Sequence, residues 1–280
     1  MPELPEVETV RRVFDRVLTG RRIVDAEIAE DSIVLKKTPA AVVREAVVGS
    51  TVTGTGRIGK YFWLELDSNP WLFGHLGMAG WVREIGASTI RLREHGQAPM
   101  EDAEGRPKFL KMLLTADDGG QVVMTDGRRL ARIWLCSSPM DDAAIAKLGP
   151  DCYSALPSPS AILDSISRRS APIKALLLDQ SLFCGVGNWI ADEVLFLARI
   201  RPSRHGKTLS LDDCTRLHAA LKEVISLAVE VGADKDKFPP SWLFHYRWGG
   251  AKGDDLIDGQ AILREQIGGR TTAWVPSRQV

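Results

Sequence analysis

The chain has 280 residues, 44% of them apolar and 26% charged, with 36 basic and 36 acidic side chains in formal balance. That length and apolar fraction describe two ordinary domains or one large one with a sizeable core, and exclude a disordered or fibrous chain. No run of about 18 apolar residues occurs, which excludes a transmembrane helix, and the zero net charge argues mildly against nucleic acid as a partner.

In chain order, residues 3–18 come first. Val7, Val10, Phe14, Val17 and Leu18 recur at helical spacing and Gly20 ends the pattern, so a helix is predicted. From Arg22 to about Leu135 the pattern turns to strands. Ile23–Ile28, Val52–Gly56, Tyr61–Leu66, Leu72–Leu76, Phe109–Leu114 and Val122–Met124 are short, rich in branched and aromatic residues, and separated by Gly, Asn-Pro or Asp-Gly punctuation. They predict a β-sandwich or barrel carrying the N-terminal helix. The polar stretch from Ser137 to Ser160 reads as a linker. Beyond it Ile162–Ile166, Ile173–Asp179, Trp189–Ala198 and Leu211–Val231 read as helices, the last with Ser210 as its N-cap and Asp213 in its first turn. From about Lys237, Trp242–Tyr246, the following Gly-Gly and the run ending Thr271–Val275 carry hairpin signals. The expected organisation is a β domain over 1–137, a linker over 138–158, a helical domain over 159–236 and a small hairpin domain over 237–280.

Charge is segregated along this order. Arg11-Arg12, Arg21-Arg22, Arg128-Arg129-Arg132, Arg168-Arg169 and Arg199 to Lys207 are basic, while acid pairs such as Asp117-Asp118 and Asp212-Asp213 sit elsewhere. A neutral protein can therefore carry a basic face, although each cluster alone reads as solvated surface. Cys136, Cys152, Cys184 and Cys214 never form a C-x-x-C pair and the histidines are scattered, so no metal site is expected and the thiols read as free. The chain opens on acids and prolines, unlike a signal peptide, which predicts an intracellular protein.

The same opening carries candidate chemistry. Pro2 is small enough for the initiator Met to be removed, which leaves a free secondary amine. An α-amino group has a pKa of about 7.7 to 8.0 against about 10.4 for Lys, so near neutrality it is deprotonated on the order of a hundred times more often. Glu3 stands beside it as a proton donor, which makes a nucleophile and acid pair. Read structurally, the same residues are a well-capped helix start. Gly185-x-Gly187-Asn188, between two apolar helices, permits a tight turn with exposed N–H groups at a helix N-terminus, where phosphate is favoured and Asn188 can cap the helix.

Met1 to Thr9, M-P-E-L-P-E-V-E-T, resembles residue for residue the N-terminus of the formamidopyrimidine-DNA glycosylase and endonuclease VIII superfamily. The resemblance continues through Gly59-Lys60, His75-Leu76-Gly77-Met78-Ala79-Gly80, Thr125-Asp126-Gly127-Arg128-Arg129-Leu130, Ile173 to Gln180 with Gly185 to Glu193, and Gly269-Arg270-Thr271-Thr272. It implies an α+β multidomain fold: an N-terminal helix with a two-sheet β-sandwich, a helical domain with a helix-two-turn-helix motif, and a C-terminal finger. No cysteine follows Cys214, so the finger resembles the zincless form of plant and fungal members, with Ile257, Ile262, Trp274 and Val275 packing in place of metal.

The implied activity is bifunctional: excision of oxidised, chiefly ring-opened purines from damaged duplex DNA, then cleavage at the abasic site, with no cofactor. By resemblance Pro2 is the nucleophile and Glu3 the proton donor. Lys60, Asn188 and Arg270 grip phosphates, Lys174 lies near the DNA, and His75 fits either a phosphate contact or a satisfied strand histidine. Met78, Arg129 and Leu130 fill the gap left by the extruded nucleotide, with Leu130 standing where the family's Phe wedge is usual. Glu6 shapes the helix start. The lesion-capping loop has no readable equivalent. A monomer is expected, in the nucleus of a eukaryote or the cytoplasm of a bacterium. Two other readings stay open: an endonuclease VIII-like enzyme for oxidised pyrimidines, and a non-catalytic damage-binding protein.

Overall fold

The first helix, α1 (Leu4–Leu18), buries Leu4, Val7, Val10, Phe14, Val17 and Leu18 on one stripe. Pro5 in its first turn and Glu6, whose carboxylate accepts from the Glu3 backbone N–H at 3.0 Å, set where it begins. This computed structural model describes residues 2–86, 101–102, 105–249 and 255–280, and the chain divides into two units, Met1–Lys147 with Gly232–Lys235, and Leu148–Val231 with Asp236–Val280.

The first unit continues through β1 (Ile23–Ile28), α2 (Ala40–Val47), β2 (Val52–Ile58), β3 (Tyr61–Leu66), β4 (Trp71–His75), β5 (Trp81–Glu84), β6 (Leu110–Ala116), β7 (Gln121–Thr125) and β8 (Arg132–Cys136). Two four-stranded antiparallel sheets result, in the orders β1-β6-β7-β5 and β2-β3-β4-β8. Their inner faces meet in one core with α1, built from Phe14, Phe62, Leu64, Leu72, Met112, Leu114, Met124 and Ile133 among others. This is a sandwich rather than a closed barrel, with alternating residues of each strand turned inward. The helix α2 was not expected. Its Ala40, Val43 and Val47 are buried at helical spacing, but the segment is short and rich in β-branched residues.

In the second unit, α3 (Pro159–Ile166), α4 (Ile173–Leu178), α5 (Asn188–Ala198) and α6 (Leu211–Glu230) form the helical part. Ser210 and Asp213 close a reciprocal capping box on α6. Burial opposes ionisation of Asp213, but Arg204 and the Ser210 donors outweigh it and hold its pKa at about 2. Packed against α6, α5 is buried on nearly every side.

The C-terminal finger consists of two hairpins: β9 (Leu256–Ile257) with β10 (Gln260–Ala261), and β11 (Leu263–Ile267) with β12 (Arg270–Trp274). Phe196, Leu243, Ile257, Ile262, Ala273 and Val275 make its apolar seat on α5. Trp242–Tyr246 is not a hairpin strand. Leu243–His245 is a single 3-10 turn, and Trp242 and Phe244 bury their rings with Trp189 and Phe238. Aromatic content mimicked a strand there, while the rings serve an aromatic cluster. Residues 250–254, within the region expected to hold a capping loop, lie outside the described residues.

Candidate functional site

In the first unit, Pro2 and Glu3 are buried at the start of α1, and Glu3 has no exposed surface. One turn on, Glu8 is also buried and gathers Arg11, Arg12 and Arg57 at 2.9 to 3.2 Å. Burial alone would raise the Glu8 pKa; the hydrogen bonds and charge of Arg11, with Arg57 and Arg12, bring it below the ordinary range. Arg57, 3% exposed, donates on to the Gly59 carbonyl at 3.0 Å. Gly59 has φ +56°, a conformation that suits glycine in the tight β2–β3 turn. An ionic chain therefore runs from the helix that carries Pro2 and Glu3 to the turn that carries Lys60.

Lys60 is 8% exposed. The residue after it, Tyr61, is paired with His75 across β3 and β4, with ring centroids 5.0 Å apart. Burial, then the positive charges of Lys60 and Arg132, lower the His75 pKa to about 4. Its Nδ1 accepts the Gly77 N–H at 3.0 Å, so the neutral ring carries its proton on Nε2 and has a donor left to offer.

Gly77, at φ +61°, presses on the Leu130–Ala131 backbone: an added Cβ would lie 2.2 Å from the Leu130 carbonyl oxygen. That approach brings the turn bearing Met78, 42% exposed, against the loop bearing Leu130. The buried carboxylate of Asp126 shapes this loop by accepting from the backbone N–H groups of Arg128, Leu130 and Ala131 at 2.6 to 2.9 Å.

Arg129 departs from expectation. Its φ of +56° turns the side chain onto Asp31, which it binds through Nε at 2.9 Å and Nη2 at 3.0 Å. Hydrogen bonding from Arg129, helped by Lys111 and the Val34 N–H against the effect of burial, holds the Asp31 carboxyl well below the usual range. Arg128, to which the sequence assigns no role of its own, is exposed, and among the described residues its guanidinium makes no ion pair. The cation free to reach outward from this loop is Arg128.

In the second unit, Gly187 rather than Asn188 is the N-cap of α5. Asn188 is the first helical residue, and its Nδ2 donates to the Thr271 carbonyl at 3.0 Å, which ties the turn to β12 of the finger. Its Oδ1 is buried without a partner. Arg270 starts β12 and is exposed at the hairpin tip, following Gly268 and Gly269 at φ +61° and +74°.

Lys174 requires correction. Expected near DNA, it has no exposed surface, and its ammonium donates to the Asn188 carbonyl at 2.8 Å and pairs with Asp192. Asp192 also binds Arg247, at 2.7 Å, and accepts the Ala273 N–H of β12 at 3.3 Å. Lys174 thus supports the turn and cannot touch a phosphate from this position. Next to Asp192, Glu193 accepts from the backbone N–H groups of Leu243 and Phe244 at 3.1 and 2.7 Å, and burial raises its pKa to about 8.

The four cysteines are free, and among the described residues no group of three or more His, Cys, Asp or Glu side chains could hold a metal. Among the same residues no helix is long and apolar enough to cross a membrane.

Two family profiles match: the formamidopyrimidine-DNA glycosylase N-terminal domain over residues 1–133 and the formamidopyrimidine-DNA glycosylase H2TH domain over 148–239. The chain is 39% identical over 280 residues to an Arabidopsis thaliana formamidopyrimidine-DNA glycosylase, an alignment that covers all of this chain and 71% of the relative. It is 31% identical to the enzyme of that name from Pelobacter propionicus, with both chains fully covered. The Lactococcus lactis formamidopyrimidine-DNA glycosylase on DNA containing an abasic site superposes with a TM-score of 0.80 at 26% identity, over 99% of both chains. The same enzyme on DNA containing a formamidopyrimidine guanine gives 0.79 at 25%, again over 99% of each. With both of its principal parts matched in order, this chain belongs to the formamidopyrimidine-DNA glycosylase family.

Proposed function

We propose that the chain is a bifunctional DNA glycosylase and abasic-site lyase of base excision repair, acting chiefly on ring-opened purines in duplex DNA. The observation that carries this reading is the amine and acid pair, Pro2 and Glu3, fixed at the capped start of α1 in a chain that matches the family over both its parts. Its substrate is DNA, so it acts inside the cell: in the nucleus of a eukaryote, or the cytoplasm of a bacterium.

The chemistry follows from those groups. With the initiator Met removed, the Pro2 nitrogen attacks C1′ of the damaged nucleotide. The bond from C1′ to the base breaks, the base leaves with the electron pair, and the proton lost by the attacking amine neutralises it. Glu3 donates a proton to the sugar ring oxygen, so the ring opens to an iminium ion. The iminium draws electrons from C2′ as a proton leaves there, and the C3′–O bond breaks. A second elimination, with loss of the C4′ proton, breaks the C5′–O bond, and water then hydrolyses the iminium, which frees Pro2 and leaves a gap. Lys60, the Nε2–H of His75, Asn188 and Arg270 offer donors to phosphates flanking the lesion. Met78 and Leu130 fill the vacated stack, and Arg128, free where Arg129 is not, meets the partner base.

The test is single-turnover excision on matched duplexes. Ring-opened purines and hydantoins opposite cytosine are expected to be cut faster than intact 8-oxoguanine. A hydantoin stacks poorly and leaves the helix at low cost, whereas 8-oxoguanine stacks like guanine and asks more of the wedge, which here is Leu130. Equal rates for 8-oxoguanine and the hydantoins would overturn the ranking, and preference for thymine glycol over every purine lesion would favour the endonuclease VIII-like reading. Separately, Arg270→Ala is expected to weaken DNA binding and flatten the log–log salt dependence by about 0.9, the loss of one phosphate contact. An unchanged slope would place the finger tip away from the backbone.

A further inference from the structure

Phe109 is the anomaly beside this loop. It lies just before β6, outside the strand that was expected to include it, and it is 60% exposed. Its φ is +59°, a left-handed conformation that a bulky side chain adopts only at a cost in free energy. Exposed apolar residues are ordinary when scattered singly, and three observations set this one apart. Its ring lies over Gly127, so closely that a Cβ there would sit 3.2 Å from the ring carbon Cδ2. Its carbonyl accepts the N–H of Asp126, the residue that shapes the 126–131 loop, at 2.9 Å. Cations flank it in sequence: Lys108 precedes it and is exposed, and the exposed Arg128 follows Gly127 in the loop it covers.

A strained, largely exposed aromatic is poorly explained by packing, because it buries little. The left-handed backbone at Phe109 and the approach to Gly127 together define where the ring lies. Aromatic faces interleaved with basic side chains suit nucleobases, since every base offers a π-face and the cations meet the phosphates. The loop beneath carries Leu130, a side chain that cannot stack as an aromatic does.

We propose that Phe109 is a base-stacking platform of this enzyme, receiving a base of the undamaged strand beside the site of extrusion and supplying the aromatic contact that Leu130 lacks. This rests on the reading of the chain as a DNA glycosylase. Gly127 is part of the device, since a side chain there would displace the ring. The backbone strain at Phe109 is retained because it aims the ring at the DNA.

The experiment compares wild type with Phe109→Trp, Phe109→Leu, Phe109→Ala and Phe109→Gly on a duplex holding a tetrahydrofuran abasic analogue opposite cytosine. In a second duplex 2-aminopurine flanks that cytosine. Wild type and the Trp variant are expected to bind alike and to quench the fluorophore. The Leu, Ala and Gly variants are expected to bind about tenfold more weakly, as for the loss of one base–aromatic stack, and to leave it bright. The Gly variant suits the left-handed backbone, so its unfolding midpoint should equal or exceed that of wild type while binding still falls. Ala and Gly variants that bind and quench like wild type would overturn the proposal. So would a Leu variant as good as wild type, which would make the residue a mere apolar filler. Failure of wild type itself to bind the abasic duplex would instead strike at the glycosylase reading.

Discussion

Borohydride is expected to trap this chain covalently on abasic duplex DNA, and an uncleavable N-terminal extension is expected to abolish the trapping. Only an amine that condenses with C1′ yields a reducible iminium, and an extension converts the Pro2 amine into a tertiary amide with no nucleophilic lone pair. Trapping of the extended protein at the wild-type rate would assign the nucleophile to a lysine. Glu3→Gln separates the two half-reactions. Glu3 has no exposed surface, and its backbone N–H is pinned by Glu6, so its carboxyl is presented in a fixed place. Removing a positioned proton donor costs about 10² to 10⁴ in rate. That loss should fall on base excision, while cleavage at a preformed abasic site is largely spared, because an abasic sugar opens without help. Equal loss in both steps would mean that Glu3 acts after the sugar has opened.

The sequence carried the plan of this fold further than its details. The helix start at Pro2–Glu6, the sandwich strands, the four helices of the second unit and the terminal hairpin all have local causes: periodicity, capping residues and glycine turns. The misread residues depend on partners far away in the chain. Arg129 is claimed by Asp31, 98 residues distant, and nothing near Arg129 announces this. Lys174 looks like a surface cation on a short helix until Asp192 is placed against it, 18 residues on. For Lys174 a signal did exist. Asp192 and Glu193 sit together in α5, a helix with almost no polar face, and buried acids need donors. The sequence offered Lys174 and Arg247 for that purpose. At Phe109 the strand pattern ran one residue too far, because an aromatic next to a strand reads as part of it whether its face is buried or turned to solvent.

Asp192→Asn is expected to be the most destabilising single substitution in the second unit. Lys174 and Asp192 have no exposed side-chain surface and Arg247 has 3%, and the Asp192 carboxylate binds both cations. Neighbouring Glu193 is a poor substitute, since burial raises its pKa to about 8 and its oxygens already serve Leu243 and Phe244. Removing one partner of a buried ion pair typically costs about 3 to 5 kcal/mol, because the remaining charge stays buried without compensation. Lys174→Met should be milder, because Arg247 still pairs with Asp192 and the new side chain is apolar. The geometry adds a functional consequence. The Lys174 ammonium holds the Asn188 carbonyl, and Asp192 holds the Ala273 N–H three residues after Arg270. Loss of Asp192 should therefore loosen the turn and the finger together, and weaken DNA binding even at temperatures where the protein stays folded. Denaturant unfolding and binding to an abasic duplex check both parts. A loss of stability under about 1 kcal/mol, within the range of an exposed pair, would show that the network is solvated and that Asp192 does not organise the unit.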